Sequence, residues 1–194
     1  MKTSRPQPPL GTGAPPRRAV LAGAAGLVLA WLTPIRDAVA AQDPTIAPGD
    51  LLVRVGDDNL IPLTPDDIPF DGRALHAWPI GPTADAAKDG TPLNRVVVAR
   101  LNPATLSEAT ASRAVDDIVA YSAICTHSGC EVDDSLGDNS TFFCSCHGST
   151  FDPRDSGAAI GGPAPRALPA LPLKLESGRL VVAGRFTMPP GFGR

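Results

Sequence analysis

The sequence predicts an all-β fold, on three observations. Proline and glycine number 22 and 19 of 194 residues, a density that argues against a helical bundle or coiled coil. Short β-branched and aliphatic runs recur between turn residues along the chain from Ala41 onward. No segment beyond the N-terminal apolar run sustains a 3.6-residue period.

Taken in order, Leu51–Val55 and Leu60–Leu63 flank Gly56-Asp57-Asp58-Asn59, which reads as a hairpin. Residues 62–92 hold Pro62, Pro65, Pro69, Pro79, Pro82 and Pro92 and are expected to supply no regular central strand, because proline cannot donate to a ladder. Asn94–Leu101, with its Val96-Val97-Val98 run, and Ile118–Ile124 read as strands, with Thr141–Cys144 a shorter one. Ala104–Ala114 has room for one short helix. Leu171–Glu176 and Arg179–Ala183, separated by Ser177-Gly178, read as a closing hairpin.

The first forty residues read as an address. Lys2, Arg5, Arg17 and Arg18 precede an apolar run from Ala19 to Leu32, and Ala38-Val39-Ala40 follows it. That is the order of a secretory signal, and the Arg17-Arg18 pair resembles a twin-arginine export signal. The same run, taken over residues 19–35, also reads as an uncleaved membrane anchor, although it is shorter than the ~20 residues a spanning helix needs. Either way the expected location is the bacterial periplasm or the periplasmic face of the inner membrane, where disulfides persist. Seventeen basic residues against 20 acidic ones leave a net charge of −3, and only one Tyr and two Trp are present. Nucleic acid is thereby excluded as the main partner.

The chemistry is concentrated in two boxes. Cys125-Thr126-His127-Ser128-Gly129-Cys130 and Cys144-Ser145-Cys146-His147-Gly148-Ser149 gather all four cysteines and two of the three histidines. Residue type alone allows two structural disulfides with bystander histidines, a tetrahedral zinc on two cysteines and two histidines, or an iron–sulfur centre. The third histidine, His76, reads as an ordinary β-region residue, and Trp78 as packing. The acidic pairs Asp66-Asp67, Asp116-Asp117 and Asp133-Asp134, with Asp138, read as turn formers or solvated surface.

The spacing Cys125-x-His127, sixteen residues, then Cys144-x-x-His147 resembles that of the Rieske iron–sulfur proteins. Gly161-Gly162-Pro163-Ala164-Pro165-Arg166 is similar to the proline loop that covers the cluster in that family. The resemblance covers roughly Tyr121 to Gly184. It implies an antiparallel β-sandwich over residues 41–194 with a small cluster-binding subdomain inserted at about 122–166. It implies one [2Fe–2S] cluster with Cys125, His127, Cys144 and His147 as ligands, and Ser149 hydrogen-bonding a bridging sulfide. It further implies a Cys130–Cys146 disulfide between the two loops, as in the quinol-oxidising and arsenite-oxidase branch.

Two departures stand beside these matches. Phe151 occupies the position where high-potential members carry a tyrosine that donates to a cysteine sulfur. Ser128 replaces the large apolar residue usual at the tip in quinol-oxidising relatives. The family's chemistry follows from charge: two ferric ions, two sulfides and two thiolates sum to zero, so an added electron meets no dianion and potentials reach roughly −150 to +300 mV. The implied role is electron relay within a larger oxidoreductase, not stand-alone catalysis. The expected partners are a redox subunit or cytochrome, with quinol reached through a membrane partner.

Overall fold

The computed structural model describes residues 45–133 and 141–192. The leader reading of residues 1–40, and Asp134 and Asp138, lie outside the described residues. Among the described residues no helix is long and apolar enough to cross a membrane.

Among the described residues, nine strands form two antiparallel sheets. β1 (Leu51–Arg54), β2 (Leu75–Ile80), β3 (Val96–Arg100), β4 (Ile118–Ser122), β8 (Leu173–Glu176) and β9 (Arg179–Val182) make the larger, in the order β4-β3-β2-β1-β9-β8. β5 (Phe142–Cys144), β6 (Ser149–Asp152) and β7 (Ala158–Gly161) make the smaller, inserted between β4 and β8. The all-β expectation holds. The Ala104–Ala114 segment supplies α1, a single turn over Glu108–Ala111 capped by the Ser107 hydroxyl.

The edges of the larger sheet are brought together by the segment that leads into β8. Ser122 N donates to Pro169 O at 2.8 Å, and Leu171 N to Ala120 O at 2.9 Å. The interior so enclosed is filled by Leu52, Leu75, Val96, Val98, Ile118, Ala120, Leu173 and Leu180. Strand alternation sends Val97, Ala99, Val119 and Tyr121 the other way, onto a second core shared with Phe142, Phe151, Cys125 and Cys144. β3 and β4 are therefore apolar on both faces, which is why Val96-Val97-Val98 reads as an unbroken run rather than an alternating one.

Two expectations are corrected. Leu60–Leu63 forms no strand against β1; only Pro62 bridges Val53. The Asp57 carboxylate accepts from the N–H groups of Asn59 and Ile61 at 3.0 and 2.9 Å, closing the loop on itself. Leu63 instead wedges between strands, donating to Leu52 O and accepting from Leu180 N, each at 2.8 Å.

The second correction is β2, a central strand inside the proline-rich stretch. Pro79 sits beyond the residues of β2 that pair with β3, which are Leu75–Ala77. Its carbonyl accepts from Lys88 N at 2.8 Å. In a strand the N and O of one residue point the same way, so the missing N–H of Pro79 faces away from β1 and no ladder bond is lost.

Candidate metal centre

Two loops converge on the second core. The first, Cys125–Cys130, leaves β4 and is closed by Cys125 N donating to Cys130 O at 2.7 Å and Gly129 N to Cys125 O at 3.0 Å. The second, Cys144–Ser149, is the turn between β5 and β6, closed by Gly148 N to Cys144 O at 3.0 Å. The Cys130–Cys146 disulfide joins them. This pairing leaves Cys125 and Cys144 free, and both are buried.

The histidines occupy the outer side. His147 is exposed and His127 partly so, and their Nδ1 atoms face each other at 3.2 Å with the rings at 86°. Two imidazole nitrogens that share one tetrahedral ion at ~2.1 Å bonds lie about 3.4 Å apart, so this spacing suits a common metal. Ser128 Oγ stands 3.5 and 3.4 Å from the same two nitrogens, an exposed hydroxyl that makes the tip polar.

Sulfur lies inward. Burial pushes the Cys144 thiol above its ordinary value; the backbone N–H of Cys146 pulls it back, and the Cys125 sulfur beside it pushes it further up. Burial therefore favours the protonated Cys144 thiol, and a bound metal would displace that proton. Backbone N–H groups of Cys146 and His147 point at the Cys144 sulfur, and His127 N lies 3.5 Å from Cys125 Sγ. The sulfurs of Cys130, Cys144 and Cys146 are also within 4.8 Å of one another, but the disulfide withholds two of them from any metal.

A third segment closes the side. Gly162 has φ +74°, and a Cβ there would stand 2.5 Å from Gly148 O and 2.6 Å from Ser149 Cα. Only glycine allows the proline loop to lie this close to the second loop. Thr126 Oγ1 donates to Arg166 O at 2.7 Å, tying the first loop to the same segment. Thr126 lay inside a recognised box, but its tie to a carbonyl forty residues away had no signal in the sequence.

The fit to a cluster is tested by Ser149. Its hydroxyl oxygen is buried and has no hydrogen-bond partner among the described residues, a costly state for a polar group in a core. A bridging sulfide would supply that partner. Two buried thiols, two converging imidazoles and one orphaned hydroxyl form a donor set that suits a [2Fe–2S] group held by sulfur on one side and nitrogen on the other.

A family model described as the Rieske [2Fe–2S] domain matches residues 81–172. The cytochrome bc1 complex Rieske iron–sulfur subunit of Streptomyces lividans is 34% identical over 149 residues, covering 74% of this chain and 85% of that protein. The chain belongs to the Rieske iron–sulfur family. The equivalent subunit of Corynebacterium glutamicum is 33% identical over 179 residues, 80% of this chain and 44% of that one. This chain thus spans less than half the length of several curated relatives that it matches. The soluble domain of Rieske protein II from Sulfolobus acidocaldarius aligns with TM-score 0.41 and 23% identity, over 54% of this chain and 68% of that one. The cofactor of this Rieske domain is one [2Fe–2S] cluster.

Proposed function

We propose that this protein is a one-electron carrier, the iron–sulfur subunit of an exported or membrane-associated respiratory oxidoreductase. The observation that carries this reading is the pair of free, buried cysteines set behind two histidines whose Nδ1 atoms meet at 3.2 Å. Cys125 and Cys144 would hold the inner iron, and His127 and His147 the outer one. When bound, the cluster supplies an acceptor for one electron at near-neutral starting charge.

The residues around it do four things. The N–H groups of Cys146 and His147 stabilise negative charge on the Cys144 sulfur, as His127 N does at Cys125. Ser149 Oγ, buried and without a protein partner among the described residues, would be free to donate to the bound cluster. The Cys130–Cys146 bond and Gly162 keep the two loops and the proline loop together, which limits water on the inner side. His127 and His147, at the surface, would hold their iron within reach of a partner. The partner in this proposal is a larger redox subunit or a cytochrome, with quinol as the donor through a membrane partner. Residues 1–40 would direct export or anchor the chain by residues 19–35, and residues 41–194 form the Rieske domain with its cluster subdomain at about 122–166. Relatives named as subunits of a cytochrome bc1 complex support this assignment.

The test is analysis of natively matured protein. Iron and acid-labile sulfide should be present at two each per chain, the sample red-brown, and the reduced form should give a rhombic electron paramagnetic resonance signal averaging below the free-electron value. His147→Cys should keep iron but lose that signal shape. A colourless protein carrying one zinc would overturn the proposal in favour of a non-redox docking module.

A further inference from the structure

His76 lies in β2, about fifty residues before the first box, yet its ring reaches the segment that returns from the first loop. Nδ1 is 2.6 Å from Glu131 Oε1, and Nε2 is 3.0 Å from Val132 O. Both partners are acceptors. A neutral imidazole has one N–H, so it satisfies one of them and turns a lone pair toward the other; only the imidazolium donates to both.

The surroundings hold this geometry in place. The second oxygen of Glu131 accepts from Arg95 Nη1 at 2.7 Å, and the Arg95 guanidinium sits 5.3 Å from the centre of the Trp78 ring. Glu131 and Arg95 are the charged groups that face His76. Burial draws the His76 pKa below its ordinary value of 6.5; Glu131 opposes that shift and Arg95 reinforces it. Burial thus favours the neutral ring, which leaves one of the two acceptors unserved, while Glu131 favours the charged ring that serves both.

The acceptors belong to the site's own framework. Glu131 directly follows Cys130, whose carbonyl accepts from Cys125 N, and Val132 N donates to Ala123 O at 2.8 Å. Val132 is buried in the same core as Cys125 and Cys144. Charge placed on His76 thus acts on the segment that carries the first loop.

We propose that His76 is a redox-linked proton site, separate from the two histidines of the metal centre, and a positioning residue for the first loop. The proton comes from solvent water and enters the ring nitrogen that lacked one; no covalent bond of the chain breaks. An electron gained by the cluster raises the affinity of His76 for that proton, and by reciprocity the protonated ring raises the affinity of the cluster for the electron. Protonation completes the second hydrogen bond and ties β2 to the segment that carries Glu131 and Val132.

This rests on the cluster reading above, and the experiment separates the two. Deuterium exchange at the histidine C2 position, followed by mass spectrometry, gives the midpoint of each histidine in the full-length, cluster-loaded protein. It is measured across a pH series in the oxidised and reduced states. The oxidised protein should show a His76 midpoint below 6.5, and reduction should move it upward. Glu131→Gln removes the carboxylate that favours the charged ring, so the oxidised midpoint should fall further. An iron-loaded protein whose His76 midpoint is the same in both redox states, or unmoved by Glu131→Gln, overturns this inference alone. A natively matured protein without iron removes the electron-carrier reading with it.

Discussion

Phe151 has no exposed surface and shares its core with Cys125, Cys144, Phe142 and Tyr121. It stands in β6 opposite Phe142 and two residues after Ser149, facing the same side of the strand. Phe151→Tyr adds one hydroxyl to a buried core that also holds the Cys125 and Cys144 side chains. If that hydroxyl donates to a sulfur, it favours the more negative, reduced state. A hydrogen bond to a charged group is worth about 1.5–3 kcal/mol, and only its difference between the two charge states moves the potential. A difference of about 1–2 kcal/mol corresponds to about 40–90 mV upward for a one-electron couple. The assay is a redox titration of wild type and variant followed by the visible spectrum, with urea unfolding run in parallel. A raised potential with stability nearly unchanged is expected. An unmoved potential with stability lowered by about 1–3 kcal/mol would mean that the hydroxyl is orphaned in the core, and would refute the claim that Phe151 lowers the potential by lacking a donor.

Three further outcomes follow from the geometry. Gly162→Ala forces a Cβ to 2.5 Å from Gly148 O at φ +74°, so it should cost about 2–5 kcal/mol and lower iron content, measured by unfolding and metal analysis. Replacing Cys130 and Cys146 by alanine opens a crosslink spanning 16 residues, which should cost about 3 kcal/mol and speed iron loss to a chelator. Burial raises the Tyr121 pKa from its ordinary 10.0 to about 12, while its hydroxyl donates to Pro153 O at 2.8 Å. Between those values the unfolded chain releases the proton first, so stability should fall as pH rises from 10 to 12, by at most about 2–3 kcal/mol. Tyr121→Phe should flatten that slope in denaturation curves taken at successive pH values.

Strand placement was legible where the signal is local. β1, β3, β4, β5, β8 and β9 each lie within or against a run recognisable from its own residues. β6 was hidden because Ser149-Thr150-Phe151-Asp152 begins inside a metal box, and β7 because Ala158–Gly161 has no buried face of its own. β2 was misread because the proline rule concerns which side of a strand lacks a donor. That side is known only once the neighbours are.

Residue identity by itself placed thiols and imidazoles at short fixed intervals in two boxes, and likeness to the Rieske family singled out Cys125, His127, Cys144 and His147 among them. The same letters named Cys130 and Cys146 as a candidate pair only through family likeness, and left zinc open. Tertiary structure decided the rest. It joined those two sulfurs, turned the free thiols inward and the imidazoles outward, and left the Ser149 hydroxyl without a partner. It also carried His76 across more than fifty residues of sequence to Glu131 and Val132. The physical reason is range. Ligand spacing within a loop is a local constraint written in consecutive residues, whereas burial, hydrogen-bond supply and charge at a site are sums over neighbours that come together only when the sheets close.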